Sequence, residues 1–218
     1  MLKANSLSKG FLQGGQKILA VNNVTFNVQK GETVAIVGPS GSGKTTLLSL
    51  LAGLEDSDSG DVTIDGKRIT GLGEAELTRY RGEKIGIVFQ QFHLMPHLTA
   101  LENVSLPLEI AGENQVKEKA MNALASVGLK DRETHLPSQL SGGECQRVAI
   151  ARATVIQPAV LFADEPSGNL DTETGTRVTD ILFDLVKTTQ MTMILVTHDM
   201  ELAAKCDRIL NIRGGNLQ

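Results

Sequence analysis

A chain of 218 residues with 41% hydrophobic content can bury one substantial core, with room for a smaller attached lobe. The formal net charge of −4, the scattered Lys and Arg residues and the 3% aromatic content argue against a nucleic-acid partner. No apolar run approaches the ~20 residues that span a bilayer, and residues 1–5 lack a signal-peptide core, so we expect a cytosolic protein. Cys145 and Cys206 show no metal or redox spacing.

Short runs rich in β-branched residues predict strands at residues 18–21, 24–28, 33–37, 62–64 and 85–89. Later runs at 160–163 and 193–196 are continuously apolar, which is typical of parallel strands covered on both faces. From 99 to 157 the pattern becomes helical, with a capping box at Thr99 and Glu102 and a stop at Gly128. The sequence therefore predicts an α/β core with an inserted helical lobe.

Residues 38–45 read Gly-Pro-Ser-Gly-Ser-Gly-Lys-Thr and directly follow the apolar run 34–37. This spacing is typical of a phosphate-binding loop between a buried strand and a helix. Glycines let backbone N–H groups close around an anion, and a helix opening at Lys44 turns its positive end toward the phosphates. We predict that Lys44 reaches the β- and γ-phosphates and that the Thr45 hydroxyl binds Mg²⁺, so the chain binds a nucleotide.

The apolar run from residue 160 ends in two carboxylates, Asp164 and Glu165. Alone, such a pair could simply be solvated at a strand end. Beside a phosphate loop, the pattern favours Asp164 as a ligand of Mg²⁺ through water and Glu165 as the group that polarises the attacking water.

Residues 140–144, Leu-Ser-Gly-Gly-Glu, allow two interpretations. The pair Ser141 and Glu144 forms a capping-box pattern ahead of a helix predicted at 145–156. A double glycine destabilises a helix start, yet it leaves the Ser141 hydroxyl and bare N–H groups open to an anion. The segment is therefore also a candidate second phosphate site.

The phosphate loop, residues 140–144, the Asp164–Glu165 pair and residues 169–171 and 197–199 follow one another in this order along the chain. With this order of motifs, the chain resembles the ATP-binding subunits of ABC transporters over essentially its whole length. Residues 89–94, 98–104 and 163–171 resemble the branch that contains LolD, YbbA and the ATPase half of MacB. The resemblance implies a RecA-like P-loop NTPase core with a mixed sheet and an antiparallel β subdomain, over residues 1–90 and 158–218. A helical subdomain of about 91–157 would carry the signature segment.

The resemblance also implies that two copies clamp ATP head to tail, between the phosphate loop of one and the Ser141 segment of the other. The residues implied to contact ATP are Phe11, Gly38, Pro39, Ser40, Gly41, Ser42, Gly43, Lys44, Thr45, Thr46, Ser141, Gly142, Gly143, Glu144 and Asp171. The implied catalytic residues are Glu165, His198, Lys44 and Gln90, and the implied ligands of Mg²⁺ are Thr45, Gln90 and Asp164.

Without the resemblance, little could be inferred from Phe11, Gln90 or His198, and a lone Gln90 would indicate nothing. Phe11, which lies just ahead of the predicted hairpin strands, is implied to stack on adenine, but it could be an ordinary core phenylalanine. His198 is implied to hydrogen-bond the γ-phosphate, but alone it could equally be a capping or core histidine. Asp171 is implied to bridge the two copies near the opposite site.

We expect the chain to be an ATPase that forms a homodimer when it binds ATP. It is expected to lie on the cytoplasmic face of the inner membrane, where it would drive integral membrane permease subunits that have an extracytoplasmic portion. An alternative is an FtsE-like ATP-gated regulator of a membrane partner without transport. The soluble ABC ATPases of DNA repair and translation are disfavoured, because the chain has neither a long heptad insertion nor a second cassette. A nucleotide-binding module without turnover is disfavoured by the presence of Glu165 and His198.

Overall fold

The computed structural model describes all 218 residues, except for the side chains of Gln13, Gln16 and Lys17. The strands are β1 (Leu2–Gln13), β2 (Gln16–Val28), β3 (Thr33–Val37), β4 (Ser59–Ile64), β5 (Lys67–Arg68), β6 (Ile85–Val88), β7 (Val160–Asp164), β8 (Thr192–Val196), β9 (Arg208–Arg213) and β10 (Asn216–Leu217). The helices are α1 (Lys44–Leu51), α2 (Glu74–Lys84), α3 (Ala100–Ile110), α4 (Val116–Ser126), α5 (Gly142–Thr154), α6 (Thr172–Thr189) and α7 (Met200–Ala203), with a 3₁₀ turn at Pro137–Gln139.

The chain forms two compact units, residues 1–81 with 192–218, and residues 82–191. The helical subdomain expected at about 91–157 falls within the second unit. None of the helices, over the part of the chain that is described, is both long and apolar enough to cross a bilayer.

The first unit contains an antiparallel sheet and a set of mainly parallel strands. The antiparallel sheet has the strand order β2-β1-β4-β5, and its two long strands form a hairpin. The other strands lie in the order β10-β9-β3-β8, with β3 parallel to both β8 and β9. Strand β8 is buried along its whole length, and so are Val34 to Val37 of β3, which explains why both read as unbroken apolar runs.

The second unit packs helices around the parallel pair β6 and β7. Helix α5 is almost entirely buried. Helix α3 begins at the predicted capping box, where the Thr99 hydroxyl accepts from the Glu102 N–H and the Glu102 carboxylate accepts from the Thr99 N–H. Asn103 of α3 is fully buried, and it fixes the preceding loop because its Oδ1 accepts from the Met95 N–H at 2.8 Å and its Nδ2 donates to the Leu98 carbonyl at 3.0 Å.

The predicted strands at 33–37, 160–163 and 193–196 and the predicted helical region are confirmed, with shifts at the ends. Helix α5 begins at Gly142 rather than at Cys145, because the capping box already fixes its first turn. Strands β1, β5, β9 and β10 and helix α2 were not predicted. Phe11 consequently lies inside a strand, paired with Ile18 of β2, rather than ahead of the first strands.

Candidate functional site

The phosphate loop connects β3 to α1, and its backbone can be built only with glycine at key positions. Gly43 has a φ of 103°, and a Cβ there would lie 2.0 Å from the carbonyl oxygen of Ala20. A Cβ at Gly38 would lie 2.2 Å from the carbonyl oxygen of Ile212. The neighbouring strands therefore hold the loop in a tight backbone cradle that no larger residue can enter.

The loop and the start of α1 leave hydrogen-bonding capacity that suits an anion. Gly43 caps α1 without a side-chain hydrogen bond, and no acidic residue lies in the first turn, so the positive end of the helix is not compensated there. Ser42 is 4% exposed, and its Oγ is buried with no hydrogen-bond partner among the described residues. Unpaired buried hydroxyls are costly, and a phosphate oxygen would satisfy this one.

Lys44 folds back over the loop. Its Nζ donates to the carbonyl oxygens of Gly38 at 2.9 Å and Pro39 at 3.1 Å. These partners are neutral carbonyls, which a charged phosphate oxygen can replace with a stronger hydrogen bond. Thr45 follows with an exposed side chain.

His198 lies at the same edge of the first unit as the phosphate loop. Strands β3 and β8 are parallel, with Ile36 opposite Val196, and the Thr197 N–H donates to the Ile36 carbonyl at 3.2 Å. His198 is exposed, so it is not a core histidine. Capping of α7 is instead performed by Asp199, which accepts from the Glu201 N–H at 2.8 Å.

Phe11 is 44% exposed near the end of the β1–β2 hairpin, which excludes the core interpretation. The Nζ of Lys9 lies 5.4 Å from the centroid of its ring. Exposed aromatic rings of this kind are available for stacking.

In the second unit, Gln90 and the Asp164–Glu165 pair lie at one edge because β6 and β7 are parallel, with Val88 opposite Ala163. Glu165 has a φ of 46°, an unusual backbone conformation for a residue with a side chain, and the Gly168 N–H donates to its carbonyl at 2.9 Å. Strained residues of this kind are concentrated at functional sites.

Gln90 is held by the segment that follows β7. Its Nε2 donates to Asn169 Oδ1 at 3.2 Å, and a Cβ added to Gly168 would lie 2.8 Å from the same Nε2. The sequence pattern did not single out Asn169 and Gly168 as partners of Gln90, because they are distant from it along the chain.

The capping box at the start of α5 is present. The Ser141 hydroxyl accepts from the Glu144 N–H at 3.3 Å and donates to Glu144 Oε2 at 2.8 Å, while the Ser141 N–H donates to the same oxygen at 2.9 Å. Arg132, which sequence reasoning missed, donates to Glu144 Oε1 at 2.8 Å. The Ser141 N–H, then Arg132 and the Ser141 hydroxyl, lower the pKa of Glu144 to about 2.

The two glycines of this segment differ. Ser141 and Gly142 are exposed, so an anion can approach them. Gly143 is buried, and a Cβ there would lie 2.4 Å from Cγ2 of Thr174. The second glycine is therefore required by helix packing, and the phosphate role of the segment stays a prediction.

Asp171 caps α6, since its carboxylate accepts from the Thr174 N–H at 3.1 Å. The hydrogen bonds from Thr174 lower the pKa of Asp171, so the side chain is held as a carboxylate. Its predicted role between two copies remains a prediction.

No group of three or more His, Cys, Asp or Glu residues forms a metal cluster, as far as the described side chains go. Mg²⁺ does not require one, because it prefers oxygen ligands, keeps several waters and commonly binds through one or two protein groups plus phosphates. The Thr45 hydroxyl, the Gln90 amide and the Asp164 carboxylate supply oxygen donors of this type.

Comparison with known proteins identifies relatives over the full length of the chain. The profile of the family described as ABC transporter matches residues 21–168. The chain is 47% identical to the uncharacterised ABC transporter ATP-binding protein YbbA of Escherichia coli K12, covering all of this chain and 96% of YbbA. It is 44% identical to the lipoprotein-releasing system ATP-binding protein LolD of Legionella pneumophila strain Lens, with the same coverage.

The fold has a close counterpart among solved structures. The dimeric structure of the ATP-binding cassette MJ0796 in a post-hydrolysis state, bound to ADP and Pi, superimposes with a TM-score of 0.92 and is 40% identical, covering all of this chain and 97% of that one. The expected fold class, an α/β ABC ATPase cassette with a mixed sheet and an antiparallel β subdomain, is confirmed.

Proposed function

Because the chain belongs to the ABC transporter family and is one of its ATP-binding ATPase cassettes, we propose that two copies close head to tail on ATP and part after hydrolysis, driving a membrane partner. The observation that carries the proposal is the glycine cradle of the phosphate loop, with the uncompensated start of α1 and the unpaired Ser42 hydroxyl.

Binding of the triphosphate rests on the loop and on Lys44. Backbone N–H groups of the loop and of the first turn of α1 would contact the phosphates, and Lys44 would exchange its two carbonyl partners for the β- and γ-phosphate oxygens. Thr45, Gln90 and Asp164 would hold Mg²⁺, whose charge would offset that of the phosphates.

Hydrolysis would proceed by in-line attack of water on the γ-phosphate. Glu165 would orient and polarise the water, and its φ of 46° is a strained conformation of the kind that is concentrated at functional sites. Gln90 would contact the water or Mg²⁺, and His198 would hydrogen-bond the γ-phosphate.

The second half of each site would come from the other copy. Ser141 and Gly142 are exposed at the start of α5 and would contribute a hydroxyl and N–H groups to the phosphate, and Asp171 would lie near the same interface. Closure would then be ligand-driven, because ADP lacks the γ-phosphate contacts that favour the closed dimer.

We further propose integral membrane permeases with an extracytoplasmic portion as partners, on the cytoplasmic face of the inner membrane, in a mechanotransmission system of the LolD or MacB type. The similarity to LolD, whose name places it in a lipoprotein-releasing system, supports this proposal. An FtsE-like regulator without transport is the second candidate. It would use the same ATPase cycle, and only the membrane partner would differ.

A mixing experiment tests the shared site. Lys44→Ala should lose ATP binding and Ser141→Arg should block the opposing surface, so each variant alone should hydrolyse little ATP. In a head-to-tail pair of the two, one site receives both substitutions and the other receives neither. The mixture should therefore regain ATPase activity and ATP-dependent dimers in light scattering, whereas a mixture no more active than its parts would refute the shared site.

The membrane role is tested separately by affinity purification of the tagged chain from detergent-solubilised membranes of its native cells. A co-purifying permease with a large extracytoplasmic domain whose deletion blocks export supports transport. A partner whose deletion impairs only cell division would support the regulator instead.

A further inference from the structure

Lys9 is fixed more firmly than an ordinary surface lysine. Its side chain is 13% exposed, and its Nζ donates to Glu55 Oε1 at 2.5 Å and to the Asp56 carbonyl at 2.7 Å. The same Nζ lies over the ring of Phe11, 5.4 Å from the centroid, which is within the range of a cation–π contact. One ammonium group therefore contacts both an aromatic ring and two oxygens.

The oxygens belong to a segment that follows the phosphate-loop helix. Residues 55–58 come shortly after α1, and the Glu55 N–H donates to the Ser49 carbonyl of that helix at 3.3 Å. The segment also bonds to the backbone of β1, since the Gly10 N–H donates to Asp58 Oδ2 at 3.1 Å and the Asp58 N–H donates to the Ser8 carbonyl at 2.9 Å. Lys9 thus links the Phe11 ring to the C-terminal end of the helix whose N-terminus forms the phosphate loop.

We propose that Lys9 is a positioning residue for nucleobase binding, which holds the Phe11 ring in the orientation in which it stacks on the base of ATP. The proposal rests on the proposed stacking role of Phe11. The ammonium occupies one face of the ring and leaves the other face for the base. A ring that is 44% exposed near the end of a hairpin would otherwise lose rotamer freedom when the nucleotide binds, and a ring already fixed by Lys9 avoids that loss.

The test compares Lys9→Met, which keeps the length of the side chain but removes the charge, with Lys9→Arg, which keeps a cation. We expect Lys9→Met to weaken ATP binding by about three- to tenfold, the range of a partly buried cation–π contact. The kcat at saturating ATP and the affinity for inorganic tripolyphosphate, which has no base, should stay at wild-type values. Lys9→Arg should restore most of the ATP affinity.

The chain supplies a matched control. Lys67 Nζ lies 5.3 Å from the centroid of the Tyr80 ring and 2.7 Å from Glu76 Oε1, so it too contacts an aromatic ring and a carboxylate, at a ring that is not proposed to bind ATP. Lys67→Met should leave ATP affinity unchanged. A general loss of stability would lower the binding of tripolyphosphate as well, and that result would overturn the positioning role.

A double-mutant cycle with Phe11→Ala separates the two proposals. If Phe11 stacks on the base, Phe11→Ala weakens ATP binding, and Lys9→Met added to it causes no further loss. If Phe11→Ala weakens ATP binding but Lys9→Met alone does not, the role of Lys9 is wrong and the stacking role stands. If Phe11→Ala has no effect on ATP binding, the stacking role itself is wrong.

Discussion

Gln90 and Asn169 hold each other through two hydrogen bonds that run in opposite directions. Gln90 Nε2 donates to Asn169 Oδ1 at 3.2 Å, and Asn169 Nδ2 donates to the Gln90 carbonyl at 3.0 Å. Both the side chain and the backbone of Gln90 are therefore fixed by the segment that follows Glu165. The position of the proposed water-contacting glutamine depends on the same turn that carries the proposed base.

Gly168→Ala should disturb this arrangement without replacing any residue that is proposed to contact ATP or Mg²⁺. The added Cβ would lie 2.8 Å from Gln90 Nε2, so the Gln90 side chain must move. We expect kcat to fall about ten- to hundredfold, the cost of a small displacement of a reacting group, with ATP affinity little changed. Gly82→Ala is the control, because a Cβ at Gly82 meets nothing within 4 Å. Equal kcat values for the two variants would contradict the role of Gln90.

Glu165→Gln keeps the size of the side chain and removes the carboxylate. We expect ATP binding to persist and hydrolysis to fall by at least about a hundredfold, because the attacking water loses its base. The variant should therefore accumulate as an ATP-bound dimer in size-exclusion chromatography. Elution as a monomer in saturating ATP would count against both the base assignment and ligand-driven closure.

Ser141→Ala has a matched partner in Thr99→Ala, since both residues cap helices through the same box geometry. Each substitution should lower the free energy of unfolding by about 1 kcal/mol, measured by urea denaturation. Only Ser141→Ala should also slow ATP turnover, because only Ser141 is proposed to contact phosphate. If both variants turn over ATP at the wild-type rate, Ser141 acts solely as a cap.

The pKa of Glu144, lowered to about 2, makes a prediction about acid stability. A depressed pKa contributes stability above the unfolded value of 4.5, and the contribution is lost as pH falls toward about 2. Glu144→Gln should therefore be less stable than the wild type near neutral pH, and the difference should shrink as pH falls from about 5 to about 3.

Urea denaturation of both proteins at several pH values measures this difference. Glu118→Gln, which removes an exposed carboxylate from the first turn of α4, controls for the loss of a charge at a helix start. A difference between Glu144→Gln and the wild type that does not vary with pH would refute the hydrogen-bonded carboxylate.

Strand β1 and helix α2 escaped prediction for physical reasons. Strand β1 has no clean alternation, because Ser6 adopts a φ of 48° and its pairing with β2 shifts register between Ala4 and Leu7. Helix α2 carries a largely charged sequence, and only Leu77 and Tyr80 are buried, so its apolar periodicity is weak. Tertiary contacts, rather than local pattern, stabilise both elements.

The candidate site likewise contains parts that the sequence predicted and parts that it did not. The phosphate loop and the capping box are local, so residue spacing alone predicted their geometry. The residues that position them were missed, because Asn169 lies 79 residues from Gln90 and Arg132 lies 12 residues before Glu144. No short motif encodes pairings of that kind.

The contact between Gly143 and Thr174 has an evolutionary consequence. Since the methyl group of Thr174 fills the space that a Cβ at position 143 would need, position 143 cannot gain a side chain while that methyl group stays in place. Among relatives we expect a serine or alanine at 143 to occur together with a smaller residue at 174, whereas position 142, where a Cβ comes within 3.3 Å only of the flexible Leu170 side chain, should vary more independently. A substitution at position 143 of α5 would thus be tolerated only after position 174 of α6 has changed.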